Sequence, residues 1–174
     1  MTEASNAIKA TRRIAAPASI IFSILATPRR HVDIDGSNML RGTLVDQLIT
    51  KVGDTFTMQM HRLGDDYLMI NHVVEFEPGR RISWQPAPGD TSRAKGNEPA
   101  NVGIPAGYSW GYTLTPEDGN TTVVTETFDF SALPEDLRRT LRDGGAWIHG
   151  SNSVLQSMND SLELLERISV RQEH

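Results

Sequence analysis

Val154-Leu155-Gln156-Ser157-Met158-Asn159-Asp160-Ser161-Leu162-Glu163-Leu164-Leu165-Glu166-Arg167-Ile168 is the stretch on which the fold turns. With Trp147 ahead of it, the apolar set Val154, Leu155, Met158, Leu162, Leu165 and Ile168 recurs at threes and fours over roughly six helical turns. Asn152, Gln156, Asp160, Glu163 and Arg167 fall on the opposite side. Such a helix has one apolar stripe to bury, so its partner must be found elsewhere in the chain.

The segments before it supply strands. Ala7 to Ile14 alternates, and Arg12 interrupts its apolar side, which suits an open end. Met39 to Asp46, Thr55 to Arg62, Tyr67 to Glu77, Arg80 to Gln85, Tyr108 to Thr115 and Thr121 to Phe130 follow with period two. Gly64-Asp65-Asp66, Pro78-Gly79 and Pro116 to Asn120 are tight connections between them, which predicts an antiparallel meander. Pro17 opens a short apolar helix carrying Ile20, Ile21, Phe22, Ile24 and Leu25. Thr27-Pro28 ends it, and a second short helix runs through Arg30 and His31 to the turn residues Asp35-Gly36-Ser37. Pro134 to Arg142 reads as a polar helical piece, broken from the long helix by Gly144-Gly145. The exception to short connections is Pro86 to Gly107, about twenty residues of Pro, Gly, Asn and Asp, the kind of loop that often serves as a lid.

The predicted fold class is therefore α+β, with a seven-strand antiparallel sheet curled around a long C-terminal helix and two short helices after strand 1. A chain of 174 residues suits one domain spanning 1–174. Hydrophobic residues make up 38% and charged residues 22%, as in globular proteins. A net charge of −5 with mixed signs argues against nucleic acid as a partner. The absence of cysteine excludes disulfides, thiolate metal sites and a cysteine nucleophile. Met1 to Asn6 is polar and lacks the pattern of a secretory signal, and no window is apolar enough for an integral membrane segment. The chain is accordingly expected in the cytoplasm, as a monomer or homodimer.

The element order and several local runs resemble the START-like superfamily, in its polyketide cyclase/dehydrase (SRPBCC) branch. The runs are Ile14-Ala15-Ala16-Pro17 leading into Ile21-Phe22, Val74 through Trp84, Trp110 through Pro116, and Gly119 through Thr127. His31 through Ser37 resembles a variant common in actinobacterial members. The resemblance covers nearly the whole chain and implies the helix-grip fold, with a mostly apolar cavity between sheet and helix. It implies no single function, because the superfamily holds lipid carriers, hormone and alkaloid binders, aromatase/cyclases and chaperone activators.

Strand alternation nominates the cavity residues. On the face set by Leu68, Ile70, His72, Val74 and Phe76, His72 is the candidate to bind a ligand oxygen or move a proton, against the plain reading of a hydrogen-bonded histidine. Glu126 shares a face with Val124, Phe128 and Phe130, where a carboxylate is costly unless paired or protonated. Trp84, Trp110, Tyr112 and Trp147 supply aromatic lining, which elsewhere is more often simple core. Val154, Leu155 and Met158 close the cavity from the helix. The ligand-binding set is thus His72, Glu126, Tyr112, Trp84, Trp110, Ile70, Phe128, Trp147 and Met158. Arg29-Arg30-His31 reads as a solvated basic cluster. Histidines at 31, 61, 72, 149 and 174 show no ligand spacing, so no metal and no cofactor are expected. Ser151 and Ser153 lack a nearby triad. Two functions remain. One is binding of a hydrophobic or amphipathic small molecule, whether lipid, polyketide or aromatic metabolite. The other is a cyclase or dehydratase in which His72, Glu126 or Tyr112 converge on one reacting atom.

Overall fold

The structure is a computed structural model that describes residues 5–89, 102–142, 148–149 and 152–172. Strand β1 (Ala7–Ile14) is followed by helix α1 (Ala18–Leu25) and a 3₁₀ helix (Pro28–Ile34). Six strands come next: β2 (Leu40–Thr43), β3 (Thr55–Arg62), β4 (Asp65–Glu77), β5 (Arg81–Pro88), β6 (Ser109–Asp118) and β7 (Thr121–Asp129). Helix α2 (Glu135–Arg142), a small pair β8 (Ile148–His149) and β9 (Asn152–Ser153), and helix α3 (Val154–Arg171) complete the chain. The seven long-sheet strands pair antiparallel in the order β1-β7-β6-β5-β4-β3-β2.

Helix α3 starts where Ser153 accepts a hydrogen bond from the Gln156 amide at 3.2 Å, a side-chain N-cap. It buries Val154, Met158, Leu162 and Leu165 over the inner face of the sheet, whereas Leu155 is 46% exposed and belongs to its outer side. The helix was expected to take up its stripe at Trp147. That residue lies outside the described residues, and the β8–β9 pair precedes the helix instead. Arg12 on β1 reaches across to Glu166 of α3 at 2.9 Å, which explains how an arginine interrupts the apolar side of that strand. Gly36 donates its amide to Ser161 Oγ at 2.9 Å and fixes the turn after the 3₁₀ helix against α3.

The most consequential departure from simple alternation is in β4. Its register against β5 shifts between Val73 and Glu75, a bulge that leaves Val74 exposed. Tyr67, Met69, Asn71 and Val73 therefore share the inner face on one side of the bulge, and Phe76 shares it on the other. Leu68, Ile70 and His72 are turned to the outer face, contrary to the face inferred by counting back from Phe76. There they are half-buried, and His72 Nε2 meets the Gly103 carbonyl at 2.9 Å. The long connection is also shorter than expected at its start. Pro86, Ala87 and Pro88 belong to β5, beyond the point where β5 stops pairing with β6, so prolines are tolerated there. The returning segment bonds back to it through Gly103 to Pro88 at 2.8 Å and Ala106 to Pro86 at 3.0 Å. Residues 91–100, on which a lid would rest, lie outside the described residues.

Candidate functional site

Between the sheet, the 3₁₀ helix and α3 lies a cavity of about 730 Å³. Its walls follow from strand register, since residues opposite one another in neighbouring strands share a face. Met58, Met69 and Pro88 form one row across β3, β4 and β5; Phe56, Asn71 and Pro86 form the next. Trp84 stands opposite Trp110, and Tyr112 opposite Glu126. Ser157, Met158 and Ser161 face them from α3; His31 and Ile34 of the 3₁₀ helix and the following Asp35 close one side. Arg62, Leu63 and Asp65 at the β3–β4 turn mark the outer end. The Ile82–Tyr112–Glu126 level lies further in, along the rows that lead to the sealed core of Ile14, Val124 and Leu165.

The apolar residues are sorted by kind. Met39, Met58, Met60, Met69 and Met158, every methionine of the chain besides Met1, border the cavity, together with Phe56, Tyr67, Trp84, Tyr108 and Trp110. Among the described residues, branched aliphatics contribute just Ile34, Leu40 and Leu63 to this wall. The dry core behind it is the reverse, with Ile14, Ile21, Ile24, Leu25, Val73, Ile82 and Val124 fully or almost fully buried. Stiff branched side chains thus fill the part that must not change shape. Unbranched, polarisable thioethers border the cavity, where their side chains can re-pack.

A small polar group sits at the inner end. Tyr112 stands opposite Glu126 across β6 and β7, and its hydroxyl favours the charged form of the carboxyl. Glu126 is 5% exposed, and burial pushes its pKa up to about 8, so the carboxyl is protonated at neutral pH. The same burial, with the Glu126 charge beside it, drives Tyr112 well above its ordinary value. Glu126 Oε2 is buried and has no hydrogen-bond partner among the described residues, and the same holds for Ser157 Oγ on the facing helix. His31 is stacked on Trp84 at 5.2 Å and set edge-on to Phe56 at 5.5 Å. Its Nε2–H donates to the Leu25 carbonyl at 2.7 Å, and burial lowers its pKa to about 4, which leaves a neutral ring with Nδ1 as acceptor. Asp35 is held by its own turn: Oδ1 accepts from the Ser37 amide at 2.9 Å, and Oδ2 from the Met39 and Leu40 amides at 2.8 Å each. Asn71 donates to the Phe56 carbonyl at 3.3 Å.

Of the residues nominated from sequence, Trp84, Trp110, Tyr112, Glu126 and Met158 border this cavity together. Phe128 is on the inner face but stands behind Trp110, stacked at 4.4 Å, and is part of the core. Ile70 and His72 are on the far side of the sheet for the reason given above, and Trp147 lies outside the described residues. His31, Asp35, Asn71 and Ser157 were not singled out. His31 had been read as part of a solvated cluster, yet Pro28, His31 and Ile34 are buried at a spacing of three while Arg29 is exposed. That period was the available signal, since a 3₁₀ helix repeats every three residues. Among the described residues no three His, Asp or Glu side chains gather as a metal site would require.

The sheet, the two short helices and the long C-terminal helix match solved structures over almost their full length. A START superfamily protein from Mycobacterium smegmatis aligns with a TM-score of 0.58 at 11% identity, covering 95% of this chain and 98% of that one. Protein Ms6760 from the same organism aligns with a TM-score of 0.65 at 18% identity, covering 98% and 94%. The chain has the START-like fold. Protein NE0264 from Nitrosomonas europaea aligns with a TM-score of 0.65 at 14% identity, with 99% of each chain covered. In sequence, the chain is 30% identical over 119 residues to the uncharacterized protein Rv0088 of Mycobacterium tuberculosis. That match takes in 68% of this chain but 45% of the relative, so the START-like chain spans less than half the length of the curated protein it matches. No family model matches it. Among the described residues no helix is long and apolar enough to cross a membrane.

Proposed function

We propose that this START-like cavity binds a hydrophobic or amphipathic small molecule, of the size of a lipid, polyketide or aromatic metabolite. The observation that carries the reading is the cavity itself: about 730 Å³, walled largely by methionine and aromatic side chains, with Arg62 and Asp65 at its outer end and a few polar groups, Glu126 and Ser157 among them, further in. Small-molecule sites commonly have this make-up, mostly apolar with a few placed hydrogen-bonding groups, at volumes of roughly 300–1,000 Å³. Transfer of a guest's apolar surface from water into such a wall supplies affinity at roughly 25 cal/mol per Å², and the thioethers let the wall follow its outline.

Titration with the neutral dye Nile red tests the reading. Saturable uptake with one dye per chain and energy transfer from Trp84 and Trp110 is expected. The cavity-filling Met58→Trp variant should lose that uptake while keeping a cooperative melt. Dye uptake that is unsaturable, or unchanged in a folded Met58→Trp protein, places the dye elsewhere and ends the proposal.

A second reading has one observation in its favour, the protonated carboxyl of Glu126 beside Tyr112. In a cyclase or dehydratase, a buried neutral carboxyl acts as a general acid toward a ligand carbonyl or hydroxyl oxygen. It predicts turnover that falls as Glu126 ionises near pH 8 and that Glu126→Gln abolishes. Binding without turnover of any carbonyl-bearing guest leaves the carrier function alone.

A further inference from the structure

We propose that the inner end of the cavity receives an uncharged oxygen of the ligand, a hydroxyl or carbonyl, and turns away carboxylates. The inference rests on the binding function above and names the chemistry of the guest's polar end. Its basis is a mismatch of hydrogen-bonding groups on facing walls. Glu126 on β7 and Ser157 on α3 are 5% and 2% exposed, both border the cavity, and each has a polar oxygen without a partner among the described residues. Buried polar atoms normally find partners, and an orphan on each of two facing elements at one end of a cavity marks where a guest's polar atom belongs. Tyr112 is the cross-strand neighbour of Glu126, and the protonated carboxyl has a hydrogen of its own to donate.

The charges around that end decide which oxygen is accepted. From β6 there is Tyr112, from the 3₁₀ helix His31, and after it the Asp35 carboxylate, whose field acts on both Tyr112 and Glu126. His31 is neutral, its Nε2–H given to Leu25, and it offers a lone pair rather than a positive charge. Along β1 the next inner-face group is Arg12, bound to Glu166 of α3. Arg62 is at the opposite, outer end. A ligand carboxylate placed beside Glu126 would be desolvated next to the Asp35 and Glu126 carboxyls, and Arg12, the cation on the adjacent strand, already pairs with Glu166. A ligand alcohol or ketone accepts from Glu126 and pairs with Ser157 at no such penalty.

Competition against Nile red with decanol and decanoate, equal in chain length, is the test. At pH 7 decanol should displace the dye at a concentration at least about fivefold lower, roughly the worth of one hydrogen bond. Raising the pH to 9 ionises Glu126 while decanol is unchanged and decanoate stays an anion throughout. Decanol binding should then weaken by about the same factor in the wild-type protein and stay constant in Glu126→Gln. The wild-type series stands by itself should that variant fold poorly. Equal competition by decanol and decanoate at pH 7, or a decanol affinity indifferent to pH in the wild type, overturns this assignment and leaves the cavity a binding site. Failure of Nile red and both competitors to bind removes the binding function, and this inference with it.

Discussion

Tyr112 and Glu126 are cross-strand partners on the inner face of β6 and β7, and Glu126 Oε2 is buried with no hydrogen-bond partner among the described residues. Nearby, His31 is held neutral by burial and by its bond to Leu25. The acid is thus kept protonated and the base unprotonated inside one cavity, which gives folding stability two opposing pH dependences.

The stability profile should show these two groups with opposite signs. Glu126 titrates near 8 when folded and near 4.5 when unfolded, so the folded state holds the extra proton between those values and stability falls as pH rises through them. His31 titrates near 4 when folded and near 6.5 when unfolded, so the unfolded state holds the extra proton there and stability rises with pH. Each slope reaches up to about 1.4 kcal/mol per pH unit. They cancel between about pH 4.5 and 6.5, and Glu126 alone acts above. Chemical denaturation across pH should give a plateau followed by a decline toward pH 8. In Glu126→Gln the decline should vanish and a rise up to pH 6.5 should emerge. A Glu126→Gln profile parallel to wild type contradicts the assignment.

His31→Phe keeps the aromatic contact with Trp84 and Phe56 but leaves the Leu25 carbonyl without its donor. A loss of about 1–3 kcal/mol is expected. The rise that His31 contributes at acid pH should disappear, so that stability falls continuously from about pH 4.5 to 8. Equilibrium unfolding in urea at several pH values measures both effects together. An unchanged stability would mean that the His31–Leu25 bond contributes nothing.

The division between what the sequence revealed and what it hid has physical causes. The 3.6-residue stripe of Val154 to Ile168 and the period-two strands are repeated signals, and they led to the sheet, its antiparallel pairing and the long helix. Trp84, Trp110, Tyr112 and Glu126 were reachable because their strands alternate without interruption. Strand β4 was different: Leu68, Ile70 and Val74 on one alternation and Tyr67, Met69 and Val73 on the other are comparably apolar. Nothing in that pattern announces a bulge at Val74, and one extra residue exchanges the two faces. His72 was therefore assigned the place that Asn71 occupies. His31 was hidden by its basic neighbours Arg29 and Arg30.

At Gly36 the turn between the lining residues Asp35 and Ser37 is set by close approach to α3. A Cβ added there would fall 2.6 Å from the Ser161 amide nitrogen and still nearer the Ser157 carbonyl, both backbone atoms of α3. Gly36→Ala must push the Asp35 turn away from the helix at a cost of about 1–3 kcal/mol. That corresponds to a Tm lower by about 2–4 °C for each kcal/mol in a chain of this size. The displaced turn should also weaken Nile red uptake. A Gly36→Ala protein with an unaltered melt would show that α3 yields easily at this point.

Methyl NMR of methionine-labelled protein tests the central claim most directly, because Met39, Met58, Met60, Met69 and Met158 all border the cavity and no other internal methionine exists. During a Nile red titration the five methyl resonances should shift together and saturate at one dye per chain, while Met1 stays put. Saturable dye binding that leaves all five unmoved would contradict an internal ligand site.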